Sequence, residues 1–195
     1  MKYKIGVDVD SVLRDFPLDL VNVIKREHPE YYDEEKLFEE SPNRFVPDIW
    51  EMENCFNATQ EQINQVYWHD YTSEIMGNGT PIEENVSYLK ELLKESEHTF
   101  VCVTSQKEHA RYHTLNWLGK QGLNFETVYF RRSADKWLVE IDYIIDDSPN
   151  VYNHWKNGRS SDSGFLMIDR PHNSKVNPTH KVSNIQEAMN IIDDK

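Results

Sequence analysis

Cysteine is nearly absent: Cys55 and Cys102 are the only two among 195 residues, too few to staple a secreted scaffold. Cys102 falls inside the apolar run Phe100-Val101-Cys102-Val103, where a buried free thiol is expected. Long hydrophobic runs are missing as well. The first ten residues interrupt a few apolar side chains with Lys2, Lys4, Asp8 and Asp10, a pattern of neither a signal-peptide core nor a membrane span. The expectation is a reduced, cytoplasmic protein in which the sequons at Asn57, Asn78 and Asn85 go unused. Cations are scarce too, with 21 Lys and Arg against 34 Asp and Glu, a net charge of −13. Gripping duplex nucleic acid relies on Lys and Arg displacing counterions, so a polymeric nucleic-acid partner is disfavoured and a small-molecule one preferred. The sequence leaves monomer and homodimer equally open.

What is plentiful is aromatic area. Ten Tyr, eight Phe and five Trp are spread along the chain, enough to build a core that a disordered polyelectrolyte lacks. Five short apolar runs, 3–9, 98–103, 126–130, 142–146 and 164–168, read as strands. Helical spacing fills most of the gaps: Val86, Leu89, Leu92 and Leu93 in 83–96, Ala110, Leu115, Trp117 and Leu118 in 107–121, and a closing segment 184–193. Strands alternating with helices predict an α/β fold, a Rossmann-like five-stranded parallel sheet flanked by helices, built from residues 1–15 and 81–195.

Residues 16–80 depart from this alternation. They hold no convincing strand, are punctuated by Pro17, Pro29, Pro42 and Pro47, and read as an inserted helical subdomain. A capping box, Thr59-x-x-Gln62, is expected to start a helix running toward Tyr71. Fourteen acids, four bases and ten aromatics lie here, so −10 of the −13 belongs to the insert. The segment Gly77-Asn78-Gly79-Thr80-Pro81 reads as the hinge back to the sheet.

Acidic residues also mark two strand ends. The first run closes Val7-Asp8-Val9-Asp10, and the fourth closes Ile144-Ile145-Asp146-Asp147-Ser148-Pro149. In an open parallel sheet the C-terminal strand ends share one edge, where ligands sit, so these four carboxylates are expected to meet. Two such charges about 4 Å apart repel by roughly 4 kcal/mol at an effective dielectric near 20. A cation is therefore expected, and hard oxygen ligands favour Mg²⁺ over Zn²⁺. Taken singly, each acid reads as an exposed turn residue or helix cap; together they read as a site. The strand end Thr104-Ser105 offers hydroxyls for a phosphoryl oxygen, and Lys136 a compensating charge. His109 and His113, four apart, lack an evident third zinc ligand. Arg131 and Arg132 read as a solvated loop end.

In that order, Asp8-Val-Asp10-Ser-Val, Thr104-Ser105, Lys136 and Ile-Ile-Asp146-Asp147 resemble the four motifs of haloacid-dehalogenase (HAD)-type phosphohydrolases, over residues 5–149. Within that superfamily Asp8-x-Asp10-x-Val12-Leu13-x-Asp15-Phe16 is similar to the 5′(3′)-deoxyribonucleotidases, with Ser11 where Gly is commoner and Gln106 where Pro usually follows the Thr-Ser pair. The resemblance implies Asp8 as a nucleophile of low pKa forming an aspartyl-phosphate, and Asp10 as general acid and base. It implies Mg²⁺ held by Asp8, the Asp10 carbonyl and Asp146, with Asp147 acting through water or outer contacts, and Thr104, Ser105 and Lys136 on the phosphoryl oxygens. Ninety-three residues separate Asp10 from Thr104 but only 31 separate Thr104 from Lys136, so residues 16–80 would form the cap over the site. Phe16, Trp68 and Tyr71 are its candidate base-contacting aromatics, and its acids are expected to face away from the cleft. A nucleotidase acting on nucleoside monophosphates is the favoured reading. The alternatives are a phosphatase for another small phosphomonoester or a nucleic-acid 3′-phosphate end, and a non-enzymatic phospho-accepting or binding module.

Overall fold

The computed structural model describes residues 1–40 and 55–195; Pro42 and Pro47 lie outside these. Six parallel strands, β1 (Lys4–Val7), β2 (Thr99–Thr104), β3 (Val128–Phe130), β4 (Tyr143–Asp146), β5 (Phe165–Ile168) and β6 (His180–Val182), form one sheet in the order β3-β2-β1-β4-β5-β6. The chain builds outward from β1 to one side, then returns to its other side with β4. A crevice therefore opens at the C-terminal ends of the central strands, where ligands bind in such sheets. Five strands were expected and a sixth is present. His180-Lys181-Val182 has a single apolar residue to signal it, and as an edge strand it needs apolar cover only where it meets β5.

The sheet is buried on both faces, which is why its strands read as continuous apolar runs. Ile5, Val7, Phe100, Cys102, Ile145 and Leu166 face a cluster formed with helices Glu83–Glu95, Arg111–Lys120 and Ile185–Asp193. Their neighbours Val101, Val103, Ile144, Phe165 and Met167 face Val151, Tyr152 and Trp155 of helix Pro149–Arg159. Cys55 and Cys102 are both buried and unbridged. Among the described residues no helix is long and apolar enough to cross a membrane.

A third cluster draws only on residues between 16 and 76: Phe16, Leu20, Val21, Val23 and Ile24 of helix Phe16–Glu27 pack with Leu37, Phe56, Ile63, Val66, Tyr67, Ile75 and Met76. Asp15 caps that first helix by accepting from the Leu18 N–H at 3.2 Å, and Pro17 fits its first turn, where the missing N–H costs nothing. The capping box forms as read, with Thr59 and Gln62 reciprocally bonded at the start of Gln60–Gln65. Beyond it the helix widens into a π-turn, Val66–Asp70, closed by the Tyr71 N–H on Val66 O at 2.8 Å.

The two chain crossings between this cluster and the sheet are tied to each other. Asp15 N donates to Thr80 O and Ile82 N to Leu13 O, each at 2.8 Å. Thr80 bonds Asp19 through both its N–H and its hydroxyl, at 2.8 and 2.7 Å. A side chain at Gly79 would strike Ile75 O and the Arg14 side chain, so this position requires glycine.

Candidate active site

Backbone pairing along β1 continues to Asp8, whose N–H donates to Ile145 O at 3.0 Å, and so sets Asp8 beside the end of β4. Asp8, Asp146 and Asp147 then converge, each offering a carboxylate oxygen within 4.8 Å of the others, and all three are buried. Lys136, carried by the 3₁₀ turn Ser133–Leu138, reaches between them with Nζ 2.8 Å from Asp8 Oδ2 and 2.7 Å from Asp146 Oδ2. The second Asp146 oxygen accepts from Ser148 N at 2.9 Å. Asp147 Oδ2 lies 2.7 Å from Nε2 of buried His172, and Asn173 donates to the Asp147 carbonyl at 2.8 Å.

One lysine does not balance three buried acids. Burial above all, then the charges of Asp146 and Asp147, push Asp8 up to about 8 against the pull of Lys136. Burial raises Asp146 as well. For Lys136, burial opposes the charged form, but Asp146 and Asp8 outweigh it and hold the ammonium above its ordinary value. The low pKa expected of Asp8 is thus not a property of these side chains alone, because desolvating a carboxylate costs more than one shared lysine returns. Asp8 Oδ1 is buried with no hydrogen-bond partner among the described residues. An all-oxygen cluster of this kind, short of positive charge, fits a hard divalent cation.

Asp10, the fourth carboxylate expected at this meeting point, stands apart from the cluster, because Arg14 and Gln106 take up both of its oxygens. Its Oδ1 accepts from Arg14 Nε at 2.9 Å and Arg14 Nη2 at 2.6 Å, and its Oδ2 from Gln106 Nε2 at 2.6 Å. Arg14 is wholly buried, lies 5.3 Å over the Trp117 ring, and also donates to the Met76 carbonyl and, at 3.1 Å, to Met76 Sδ. Between Asp10 and Arg14 the backbone turns through Ser11 at φ +59°, a left-handed conformation uncommon outside glycine. In the sequence nothing about the spacing of Arg14 distinguishes it. In the sequence Gln106 shows only as a departure from the family pattern, yet its amide is what reaches Asp10.

A cavity of about 340 Å³ gathers Asp8, Asp10, Phe16, Trp68, Thr104, Ser105, Lys136 and Asp147, a size suited to a small molecule. Asp146 lies beneath it, fully buried. Thr104 Oγ1 is buried without a hydrogen-bond partner, and Ser105 Oγ lies 3.2 Å from Ser133 Oγ. Phe16 packs edge-on against Tyr67 with centroids 5.3 Å apart, and Tyr67 leans on Trp68 at 4.8 Å.

Tyr71 does not reach this cavity. It meets His28 edge-on at 6.1 Å. A regular helix would put Trp68 and Tyr71 on one face, but the π-turn breaks that spacing, and it is Tyr67, which nothing in the sequence singles out, that lines the cavity with Trp68. His109 and His113 do not converge on a metal either: His109 Nε2 lies 2.5 Å from the Trp68 carbonyl, and its ring stacks on His69 at 5.0 Å. Of the fourteen acids in 16–80, nine have described side chains. Seven of these are exposed, Asp19 and Asp33 are half-buried, and none lines the cavity. Those of Glu39, Glu40, Asp48, Glu51 and Glu53 lie outside the described set.

No curated protein matches the chain. Solved structures share its fold at low identity. A haloacid dehalogenase-like hydrolase, SP0104 from Streptococcus pneumoniae, superposes with a TM-score of 0.67 at 14% identity, covering 98% of both chains. YfnB from Bacillus subtilis, solved bound to magnesium, gives 0.55 at 14% identity over 98% of this chain and 99% of its own. The L-2-haloacid dehalogenase from Xanthobacter autotrophicus, with chloropropionic acid covalently bound, gives 0.57 at 10% identity over 99% of each. The model of the family described as 5′ nucleotidase, deoxy (pyrimidine), cytosolic type C protein (NT5C) matches residues 2–195. With nearly its whole length matched and a HAD-like fold beneath it, this chain belongs to that nucleotidase family and is a phosphoric monoester hydrolase.

Proposed function

We propose that this chain is a Mg²⁺-dependent nucleotidase that removes the phosphate from (deoxy)ribonucleoside 5′-monophosphates through an aspartyl-phosphate on Asp8. The observation that carries this reading is the division of labour between the two strand-end acids. Asp8 lines the cavity with an unpartnered oxygen beside Lys136, while both oxygens of Asp10 are held by Arg14 and Gln106. Asp8 is open to attack phosphorus, and Asp10 is held fixed beside it; Asp10 acts as acid and base only once the Gln106 amide yields the Asp10 oxygen it holds to the ester oxygen or water.

Asp8 would attack the phosphorus in line with the ester oxygen, forming a P–O bond to its carboxylate as the ester bond breaks. Asp10 would give its proton to the departing ester oxygen, then take one from the water that hydrolyses the intermediate. Thr104, Ser105 and Lys136 would hold the transferred oxygens, since phosphoryl transfer is mostly positioning and charge neutralisation. Mg²⁺ held by Asp8, Asp146, Asp147 and the Asp10 carbonyl would offset the repulsion between an anionic nucleophile and a phosphate dianion. The magnesium bound to the similarly folded YfnB supports that assignment.

Residues 16–80 would act as the cap, with Phe16, Tyr67 and Trp68 flanking the base. The family description supports a nucleotide substrate and a cytosolic setting, and the two buried free thiols suit a reducing compartment. Phosphate release from a panel of deoxy- and ribonucleoside monophosphates, with and without Mg²⁺, tests the whole reading. Asp8→Asn should lower kcat at least ~10⁴-fold while the protein stays folded. Release that persists in Asp8→Asn, or that ignores Mg²⁺ removal, would overturn it.

A further inference from the structure

Ser105 and Ser133 line two cavities at once. Besides the catalytic one, they and Trp68 border a neighbouring cavity of about 660 Å³ whose walls carry Lys107, Arg111, Arg131 and Arg132. The acids on the same walls are Glu108 and Asp135. In a chain of net charge −13, this surface has the opposite sign.

Three of the four cations are held by aromatic faces. Lys107 Nζ sits 5.3 Å over the Trp68 ring, the Arg111 guanidinium 5.3 Å over Phe130, and that of Arg131 5.7 Å over Tyr129. Only Arg132 has a carboxylate, Asp135 at 2.8 Å; among the described residues the other three have none within ion-pair distance. A ring face orients a cation without neutralising it, so these charges remain available to an anion. They are exposed, whereas Lys136 next door is buried and already shared by two acids.

We infer that this cavity is a second anion site, which takes a further phosphate of the substrate while the scissile one lies at Thr104 and Lys136. The inference rests on the nucleotidase reading and adds a preference, among its nucleotide substrates, for those carrying a second phosphate. The second phosphate has two sources: the 3′-phosphate of a nucleoside 3′,5′-bisphosphate, or the first phosphodiester of a 5′-phosphorylated dinucleotide. Guanidinium groups suit either, since both present anionic oxygens to paired N–H donors.

The test compares kcat/KM for a 5′-monophosphate, the matching 3′,5′-bisphosphate and the 5′-phosphorylated dinucleotide, at 50 and 500 mM salt. At low salt at least one substrate with a second phosphate should exceed the monophosphate by about tenfold, and the margin should shrink at high salt, as expected for exposed charges. In Arg111→Gln/Arg131→Gln the same margin should fall to about twofold or less. The more favoured of the two substrates with a second phosphate identifies the source. Equal kcat/KM for all three, or a margin that survives the double substitution, would overturn the inference. If no nucleotide is hydrolysed, the nucleotidase reading fails by itself; equilibrium binding of the bisphosphate and the monophosphate to the intact and doubly substituted proteins then decides the anion site by the same ratio.

Discussion

Groups that come from the sheet stand at or just beyond the C-terminal ends of strands, whereas those from residues 16–76 stand on short helical pieces whose facing depends on local winding. Asp8 follows β1, Thr104 ends β2 and Asp146 ends β4; their meeting follows from parallel pairing and burial on both faces. Tyr67 and Trp68, by contrast, reach the cavity from a helix that widens by one residue at Val66–Asp70. The sheet carries the chemistry on a frame that alternates strictly between faces. The 16–76 cluster carries shape on a frame that a single inserted residue rotates.

Arg14 is where the two regions meet. Its guanidinium holds Asp10 on the sheet side and Met76 on the other, and Trp117 beneath it donates to Gly79 O at 2.7 Å. The position of the proposed proton donor is thereby linked to the packing of the 16–76 cluster.

The largest effect expected from disturbing this arrangement lies at Lys136. Lys136→Met leaves Asp8 and Asp146 buried without their shared cation. It should cost about 3 kcal/mol of stability without Mg²⁺ and lower kcat by roughly 10³-fold. Chemical denaturation and phosphate release measure the two. Mg²⁺ should restore much of the stability and little of the rate; equal recovery of both would mean that Lys136 serves only to balance charge.

Next come paired truncations that ask how far the regions are independent. Ile145→Ala and Leu20→Ala each remove a fully buried side chain and should each cost about 2–5 kcal/mol. Hydrogen exchange should separate them. Leu20→Ala should speed exchange chiefly in helix Phe16–Glu27 and its neighbours, and Ile145→Ala across the sheet. If Leu20→Ala loosened β1 and β4 equally, the contrast between the regions would collapse.

Arg14→Lys keeps the charge but loses the paired contact to Asp10. Turnover of alkyl phosphates, which need a protonated leaving group, should fall about tenfold, and that of an aryl phosphate with a good leaving group about twofold or less. An equal loss for both would assign Arg14 a purely structural role. The smallest effect is expected at Ser11: glycine adopts its φ of +59° without strain, so Ser11→Gly should stabilise by about 1 kcal/mol, near 2–4 °C in a melt.

Much of the sheet was legible in the sequence because strands buried on both faces leave apolar runs, and the acids that end those runs are costly enough to stand out. β6 was not, since an edge strand of three residues needs little apolar signal. In the site, Asp8, Thr104, Lys136 and Asp146 were readable from strand ends and motif order. Arg14 and Gln106 were not readable as partners of Asp10, because contacts made through a turn and across ninety-six positions leave no periodic trace.

By itself, the sequence determined the parallel sheet, because hydrophobic periodicity and strand direction are local and additive; it determined the family membership through motif order, and the meeting of Asp8, Asp146 and Asp147, but not the separate place of Asp10. Tertiary structure alone decided the raised pKa of Asp8, the choice of Tyr67 over Tyr71 at the cavity wall and the gathering of four cations beside it. Each of these depends on which groups burial and helix winding bring together from distant parts of the chain.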